Sequence, residues 1–447
     1  ASEGYGIIHI QSVYDFDGID TSPAGISTLA DPALTAVSER PQRFIRFEKA
    51  VSMPSDEVRD FENTAFGVNQ NQLMREILGY APIEPDGSVK VAVPAEVPFS
   101  ISILNALGQR TSDRHNNWIH LAPGETLQCI GCHTDDSNVP HGRSDAEPDA
   151  VNTGAITSGI EFPNTDPALI AQMGETMAQT YTRINGVQRL TADILFDDVW
   201  TDPAASPVAS LSYAYSELET TAPMNDSCAI EWTSSCRIII NYEANIHPLW
   251  SLDRRVFEDD EVTLVTDNTC TSCHNIVDSD NLIQLPEAQL DLSDGPSTDE
   301  PDHYKSYREL LFNDNEQELS NGALIDLLVD TGEIQMVGEV DEEGNPVLGE
   351  DGVQNQVPVL IDLLDDDGEQ VLDVNGDPVQ VTVPITALVN VSPSMNTNSA
   401  IRNNRFMSAM VNTVHNNILS AAEMKMISEW LDIGAQYFNN PFVAPAN

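Results

Sequence analysis

The sequence predicts an α+β fold, with a β-sandwich-like N-terminal part followed by a mainly helical part that carries a β-hairpin insertion. Three observations lead there. Period-two alternation of apolar residues is concentrated between residues 83 and 129. A capped, 3.6-periodic segment closes the chain, and a turn-rich acidic stretch interrupts the second half at about 330–390.

In chain order, "VKVAV" (89–93) and "FSISI" (99–103) alternate as half-buried strands do, and "EPDGS" before them is a turn. "LAPGETL" reads as a hairpin connection pairing Trp118–Leu121 with Thr126–Cys129. Residues 1–145 are therefore expected to form the first domain. Residues 146–225, with scattered Pro, Gly, Thr and Asn, are expected to connect, holding one helix near Pro167–Tyr181. Residues 226–447 form the second domain, in which "IIINYEANIHPLW" is a short strand or helix start and "DHYKSYRELLF" (302–312) a helix. In the insertion, "VPVLI" and "VQVTV" alternate with Asp/Gly turns. "LDDDGEQ" and "DVNGD" offer carboxylates to calcium but lack the twelve-residue ligand loop, and ordinary acidic turns account for them. Ser420 and Glu423 make a capping box for a final helix that Gly434 can end.

The 20 Lys and Arg against 71 Asp and Glu leave a formal charge of −51. That charge disfavours nucleic acid and anionic membranes as partners, and a solvated acidic surface explains it. No apolar run is long enough to span a bilayer. The chain opens on Ala1 with no basic and apolar leader pattern, as expected of a mature exported protein.

Six cysteines fall into three pairs. "CIGCH" (Cys129, Cys132, His133) and "CTSCH" (Cys270, Cys273, His274) share the form Cys-x-x-Cys-His. Zinc ribbons and thioredoxin-like pairs have no need of that histidine, although a zinc site is the remaining alternative. Covalent haem needs all three residues: two thiols add to the two vinyl groups, and the adjacent imidazole is set beneath the iron. Two such motifs predict two haems c and a cytochrome c-like second domain. Cys228 and Cys236 lack a following histidine and suit a disulfide in an oxidising compartment, periplasmic or extracellular, where it would contribute about 2.5 kcal/mol.

The second axial ligand decides between electron transfer and chemistry at an open iron. For haem 2, His415 ahead of the final helix is the expected distal ligand, with His303, His247 and Met395 as alternatives. For haem 1 the candidates are His115 and, after it, His141; His115 and His120 flank Trp118. His9 has no obvious role within the chain and is a candidate donor to a haem of a neighbouring copy in a homopolymer.

"MREILGYAPIEPDGSVKVAVPAEVPFSISILNALGQR", "RHNNW", "PGETLQCIGCHT", "PHGR" and "EWLDIGAQYFNNP" resemble the exported multihaem cytochromes related to the hydrazine synthase alpha subunit. The resemblance covers the middle and C-terminal haem domains, without the propeller. It implies that Cys129, Cys132 and His133 hold the middle-domain haem and that Cys270, Cys273 and His274 hold a bis-His haem. In that enzyme a tyrosine just after the first motif ligates the iron, and "CHTDDSNVPHGR" offers none. The expected function is an exported dihaem cytochrome passing single electrons to redox partners or along copies of itself. The alternative is a haem enzyme acting on a small nitrogen or oxygen species, with Asp135, Asp136 and His141 as acid or base.

Overall fold

The computed structural model describes residues 4–68, 73–134, 149–260, 262–342, 344–349, 353–365 and 368–446. The chain divides into two compact units. One comprises Ala1–Ser272, Leu292–Phe312 and Pro393–Asn447, the other Cys273–Asp291 and Asn313–Ser392. The division differs from the expected one at 145 and 225, because strands from all three of those segments pair. Val91 and Ala92 are in register with Gln188 and Arg189, and Ile77 bridges Ile238.

The first unit is built on two sheets. In the larger, β1 (Tyr5–Ile10) is flanked by β4 (Val89–Pro94), antiparallel, and by β6 (Thr126–Cys129), parallel. In the smaller, β2 (Phe44–Ala50) pairs antiparallel with β3 (Arg75–Pro82) and β5 (Ser100–Leu104). Their facing residues share one core: Ile8, Val89, Val91 and Val93 from the first sheet, and Ile45, Phe47, Leu78 and Ile103 from the second. Alternation in "VKVAV" and "SISIL" sends every second side chain into that core, which is why these strands form where the sequence predicts them.

The expected hairpin of Trp118–Leu121 with Thr126–Cys129 does not form. Thr126–Cys129 extends along β1 instead, with Ile7 opposite Thr126 and Ile10 opposite Cys129, and Ile119 bridges Phe99. Both segments thereby join existing sheets and gain more burial than an isolated pair offers.

The second half is not mainly helical. Its helices are short, at Asp226–Ile230, Pro248–Ser251, Cys270–Cys273, Lys305–Leu311 and Asn404–Asn412, apart from the terminal helix Ala421–Asp432. That helix has the expected box: Ser420 Oγ accepts from Glu423 N at 3.2 Å, and Ser420 N donates to Glu423 Oε2 at 2.7 Å. Of its residues, all but Ala421 and Met424 are buried. The helix expected at 167–181 is Met177–Asn185, started by Thr176 and Gln179.

The second unit is a tree of β-hairpins. A stem of Leu328–Ile334 with Pro384–Leu388 opens into branches at Met336–Gly338 with Gln356–Pro358 and at Leu360–Asp362 with Gln380–Thr382. Three chains meet at each fork, where backbone groups bond in a closed cycle. Leu363 N donates to Val379 O, Val371 N to Leu363 O and Val379 N to Val371 O. Equivalent cycles join Glu316, Leu327 and Val389, then Gln335, Val359 and Val383, then Glu339, Val347 and Asn355. Each fork satisfies backbone groups that a diverging pair of strands would leave unpaired.

Candidate functional site

The first motif hangs from the edge of the larger sheet. Gln11 N donates to Cys129 O at 2.9 Å, Cys132 N donates to Asp15 O at 2.7 Å, and Asp17 N donates to Cys132 O at 3.1 Å. The turn thus runs beside residues 11–17 like a further strand. Gly131 is required in it: a Cβ there would come within 2.2 Å of Asp15 O, which is backbone and cannot yield. Thr134 anchors the exit through Asp17 Oδ2, at 3.1 Å from its N–H and 2.9 Å from its hydroxyl. Cys129 and Cys132 are not disulfide-bonded. Burial pushes the Cys132 thiol up to about 12, with the nearby Cys129 and Asp15 acting in the same direction.

His133 and His115 are brought together. Their ring centres lie 6.2 Å apart with planes at 75°. His115 Nδ1 lies 2.6 Å from Asn117 O and His133 Nδ1 lies 3.4 Å from Thr134 O, so each ring turns the same nitrogen to a backbone carbonyl. That pattern fixes the tautomer of metal-ligating imidazoles. His120 is exposed. His141, Asp135 and Asp136 lie outside the described residues.

Arg114, the residue before His115, is anchored in a largely buried ionic cluster that sequence reasoning missed. Arg114 Nη2 donates to Asp432 O at 2.6 Å, Arg110 N donates to Asp432 Oδ2 at 2.9 Å, and Arg46 pairs with Asp432 at 3.1 Å and with Glu48 at 2.9 Å. Burial alone would raise the Glu48 carboxyl, but Arg46, Arg75 and Arg114 outweigh it and hold it at about 2. Arg75 also lies over the Trp118 ring at 5.0 Å. A cavity of about 210 Å³ beside this cluster is lined by Arg110, Arg114, Arg402, Asp113, Ser112 and Ser399 among others. The available signal was Arg110 and Arg114 close before His115 in a chain with so few cations.

The second motif is the short helix Cys270–Cys273, and the division between units falls after Ser272. In the first unit, burial raises the Cys270 thiol, with the Arg254 guanidinium and the Glu423 carboxylate beside it. Arg254 Nη2 donates to Glu423 Oε1 at 2.7 Å. In the second unit, His274 Nδ1 lies 2.9 Å from Glu287 O, the same arrangement as in the first motif.

The remaining histidines sort by burial. His415 is half-buried, its Nδ1 3.0 Å from Thr413 Oγ1. His247 has both nitrogens engaged, Nδ1 with Ser306 Oγ at 2.9 Å and Nε2 with Asp294 Oδ1 at 2.6 Å. His303 bonds Thr64 O, and Met395 is buried. His9 is a correction: a donor to a neighbouring copy must stand at the surface, whereas His9 is 2% exposed within β1, with Nε2 3.3 Å from Thr176 Oγ1. Cys228 and Cys236 form a disulfide with Cα atoms 5.7 Å apart.

Among the described residues no group of three or more His, Cys, Asp and Glu side chains is arranged to hold a metal ion directly. The acidic turns expected as weak calcium candidates are engaged with themselves: Asp365 Oδ1 accepts from Glu369 N, and Asp373 Oδ1 from Asp377 N. No helix among the described residues is long and apolar enough to cross a membrane.

Two thiols on one turn, a following imidazole and a second imidazole facing it have the donor chemistry of covalently attached haem, and the residues present fit that group. The first unit is thus a two-sheet sandwich with a Cys-x-x-Cys-His motif at the edge of its larger sheet. Residues 41–134, which include the first motif, match the family described as "Hydrazine synthase alpha subunit middle domain" and are related to it. A solved structure of Kuenenia stuttgartiensis hydrazine synthase aligns over 99% of this chain and 44% of that one, at 14% identity and a TM-score of 0.42. This chain thus spans less than half of that protein's length. No curated protein matches it by sequence.

Proposed function

We propose that the protein is an exported dihaem c-type cytochrome that transfers single electrons, its partners being other redox proteins or further copies of itself. One observation carries the reading: the separation of His115 and His133. Two imidazoles bound to one iron at about 2 Å each have ring centres roughly 6 Å apart, and the observed 6.2 Å matches that value. Cys129 and Cys132 would tether the porphyrin, and His133 and His115 would close the two faces of its iron. Arg110, Arg114 and Arg402 are the cations available to its propionate carboxylates. Bound haem supplies a one-electron couple, and saturation by two imidazoles leaves no coordination site for substrate.

At the second motif, Cys270 and Cys273 would supply the thioethers and His274 the proximal imidazole, with His415 as distal ligand. The disulfide supports an oxidising compartment outside the cytoplasm.

The test is optical and begins with the purified holoprotein. We expect a pyridine haemochrome assay to count two haems and both ferrous haems to remain low-spin under carbon monoxide. Replacement of His115→Ala should open haem 1 alone to carbon monoxide. If the unsubstituted protein already binds carbon monoxide at haem 1, the second reading, a haem enzyme with an open iron, takes its place. The likeness of residues 41–134 to a hydrazine synthase domain favours that alternative.

A further inference from the structure

The hairpin tree has one aliphatic face. Along 379–389, which reads "VQVTVPITALV", every odd position is apolar: Val379, Val381, Val383, Ile385, Ala387 and Val389. Successive side chains of a strand point to opposite faces, so these share one side, while Gln380, Thr382 and Thr386 take the other. Pairing adds to the first side. Ile361 lies opposite Val381 and Val329 opposite Ala387, and residues opposite one another share a face. At the forks, Val383 N donates to Val359 O and Val389 N to Leu327 O. Val357 stands two residues before Val359 and is paired with Val337, which brings both to the same side.

No second layer covers this face within the unit. Every sheet of the tree has two strands, and none of the described residues in 313–392 is buried. Val337 is 52% exposed and Ile361 51%. Two-stranded ribbons are marginal in water until a further layer packs on their apolar side, and a contiguous apolar face marks an interaction surface.

Charge decides what the covering layer is. None of the face positions named above holds Asp, Glu, Lys or Arg. Glu339, two residues beyond Val337, marks a margin of the face and accepts from Asn355 Nδ2 at 2.8 Å. Further carboxylates gather at the branch ends, in the turns of Asp341, Asp365 and Asp373. A basic partner would thus meet no counter-charge on the face itself, whereas a second copy brings the same uncharged aliphatic layer.

We propose that the aliphatic face of the hairpin tree is the contact between two copies of this chain, packed sheet on sheet with the same patch on each side. From 379 to 389 the face is about 33 Å long, comparable to the diameter of a patch of roughly 800 Å², which stable complexes bury on each partner. The acidic branch ends then lie around its rim, where the two copies repel one another. Salt screens that repulsion and tightens the contact, the opposite of its effect on a basic partner. The contact involves no haem, so it is independent of the electron-transfer reading, which the haemochrome count tests separately.

The experiment is sedimentation velocity on the full chain at pH 7, over a range of protein concentrations and from about 0.05 M to about 0.5 M sodium chloride. A dimer that tightens as salt is added is expected. Val381→Lys, on the face, should weaken it at least tenfold. Thr382→Lys makes the same change of charge on the opposite side and should weaken it less than twofold. Amide exchange across 379–389 in the unsubstituted protein should slow as its concentration rises, a reading that holds even if Val381→Lys does not fold. A chain that stays monomeric at every concentration and salt overturns the proposal, as does amide exchange that ignores concentration. Equal weakening by the two lysine variants overturns it as well. So does a dimer that dissociates as salt is added, since charge and not the aliphatic face would then hold it.

Discussion

Glu84 is buried, accepts a hydrogen bond from Trp200 Nε1, and burial pushes its carboxyl up to about 7, with nearby Asp86 adding to the rise. His9 is buried on β1, and burial together with Lys90 lowers its imidazole to about 4. The two act on stability with opposite sign. Glu84 binds its proton more tightly in the folded state, so its contribution is complete below pH 4.5 and is lost as pH rises through 7. His9 releases its proton more readily in the folded state, so its contribution is complete above pH 6.5 and is lost as pH falls through 4. Each displacement corresponds to roughly 3 kcal/mol, and between pH 4.5 and 6.5 they offset. Glu84→Gln should therefore leave a protein whose urea midpoint climbs with pH across that window, and His9→Gln one whose midpoint declines. Parallel curves for the two variants would contradict both assignments. The sequence showed His9 as a histidine without a role, and its burial was hidden because alternation alone does not say which face of β1 meets the core.

In the hairpin unit, the same turn recurs as Asp-x-x-Gly. Asp373 Oδ1 accepts from Asn375 N and Asp377 N, Gly376 N donates to Asp373 O, and Gly376 has φ +88°. Asp365 with Gly368 and Asp341 with Gly344 repeat the pattern, each glycine at positive φ. Nothing lies within 4 Å of a Cβ built on Gly376, so Gly376→Ala isolates the cost of the left-handed backbone, about 1 kcal/mol. The expected result is faster amide exchange confined to residues around 371–379; a change spread through the first unit would refute a local role. The hairpins, the final helix and strands β4 and β5 were legible because each is set by neighbours in sequence. The pairing of β6 with β1 was not, since it joins residues more than a hundred positions apart. The forks were missed because each needs three segments to meet at one point, although the even spacing of Leu363, Val371 and Val379 carried the clue. At the site, both Cys-x-x-Cys-His motifs and His115 could be read from the chain, whereas the Arg46–Glu48–Asp432 cluster needed two distant segments to meet.

Across the whole molecule, 71 acidic residues repel one another with few cations to offset them. Screening shortens that repulsion from about 30 Å at 0.01 M salt to about 8 Å at 0.15 M. The melting temperature should therefore rise as sodium chloride is added at pH 7, steeply at first and then levelling, when followed by circular dichroism on the holoprotein. A flat response would mean that the native charges are already compensated. The cations are distributed unevenly. Arg46, Arg75 and Arg110 are buried and Arg114 is half-buried, while no Lys or Arg occurs between Arg308 and Arg402. Proteases that cut after a basic side chain consequently find no scissile position anywhere in the hairpin tree. Trypsin would release that part of the chain as one long peptide, however exposed its tips, and its fragment pattern offers a simple marker for the undamaged insertion.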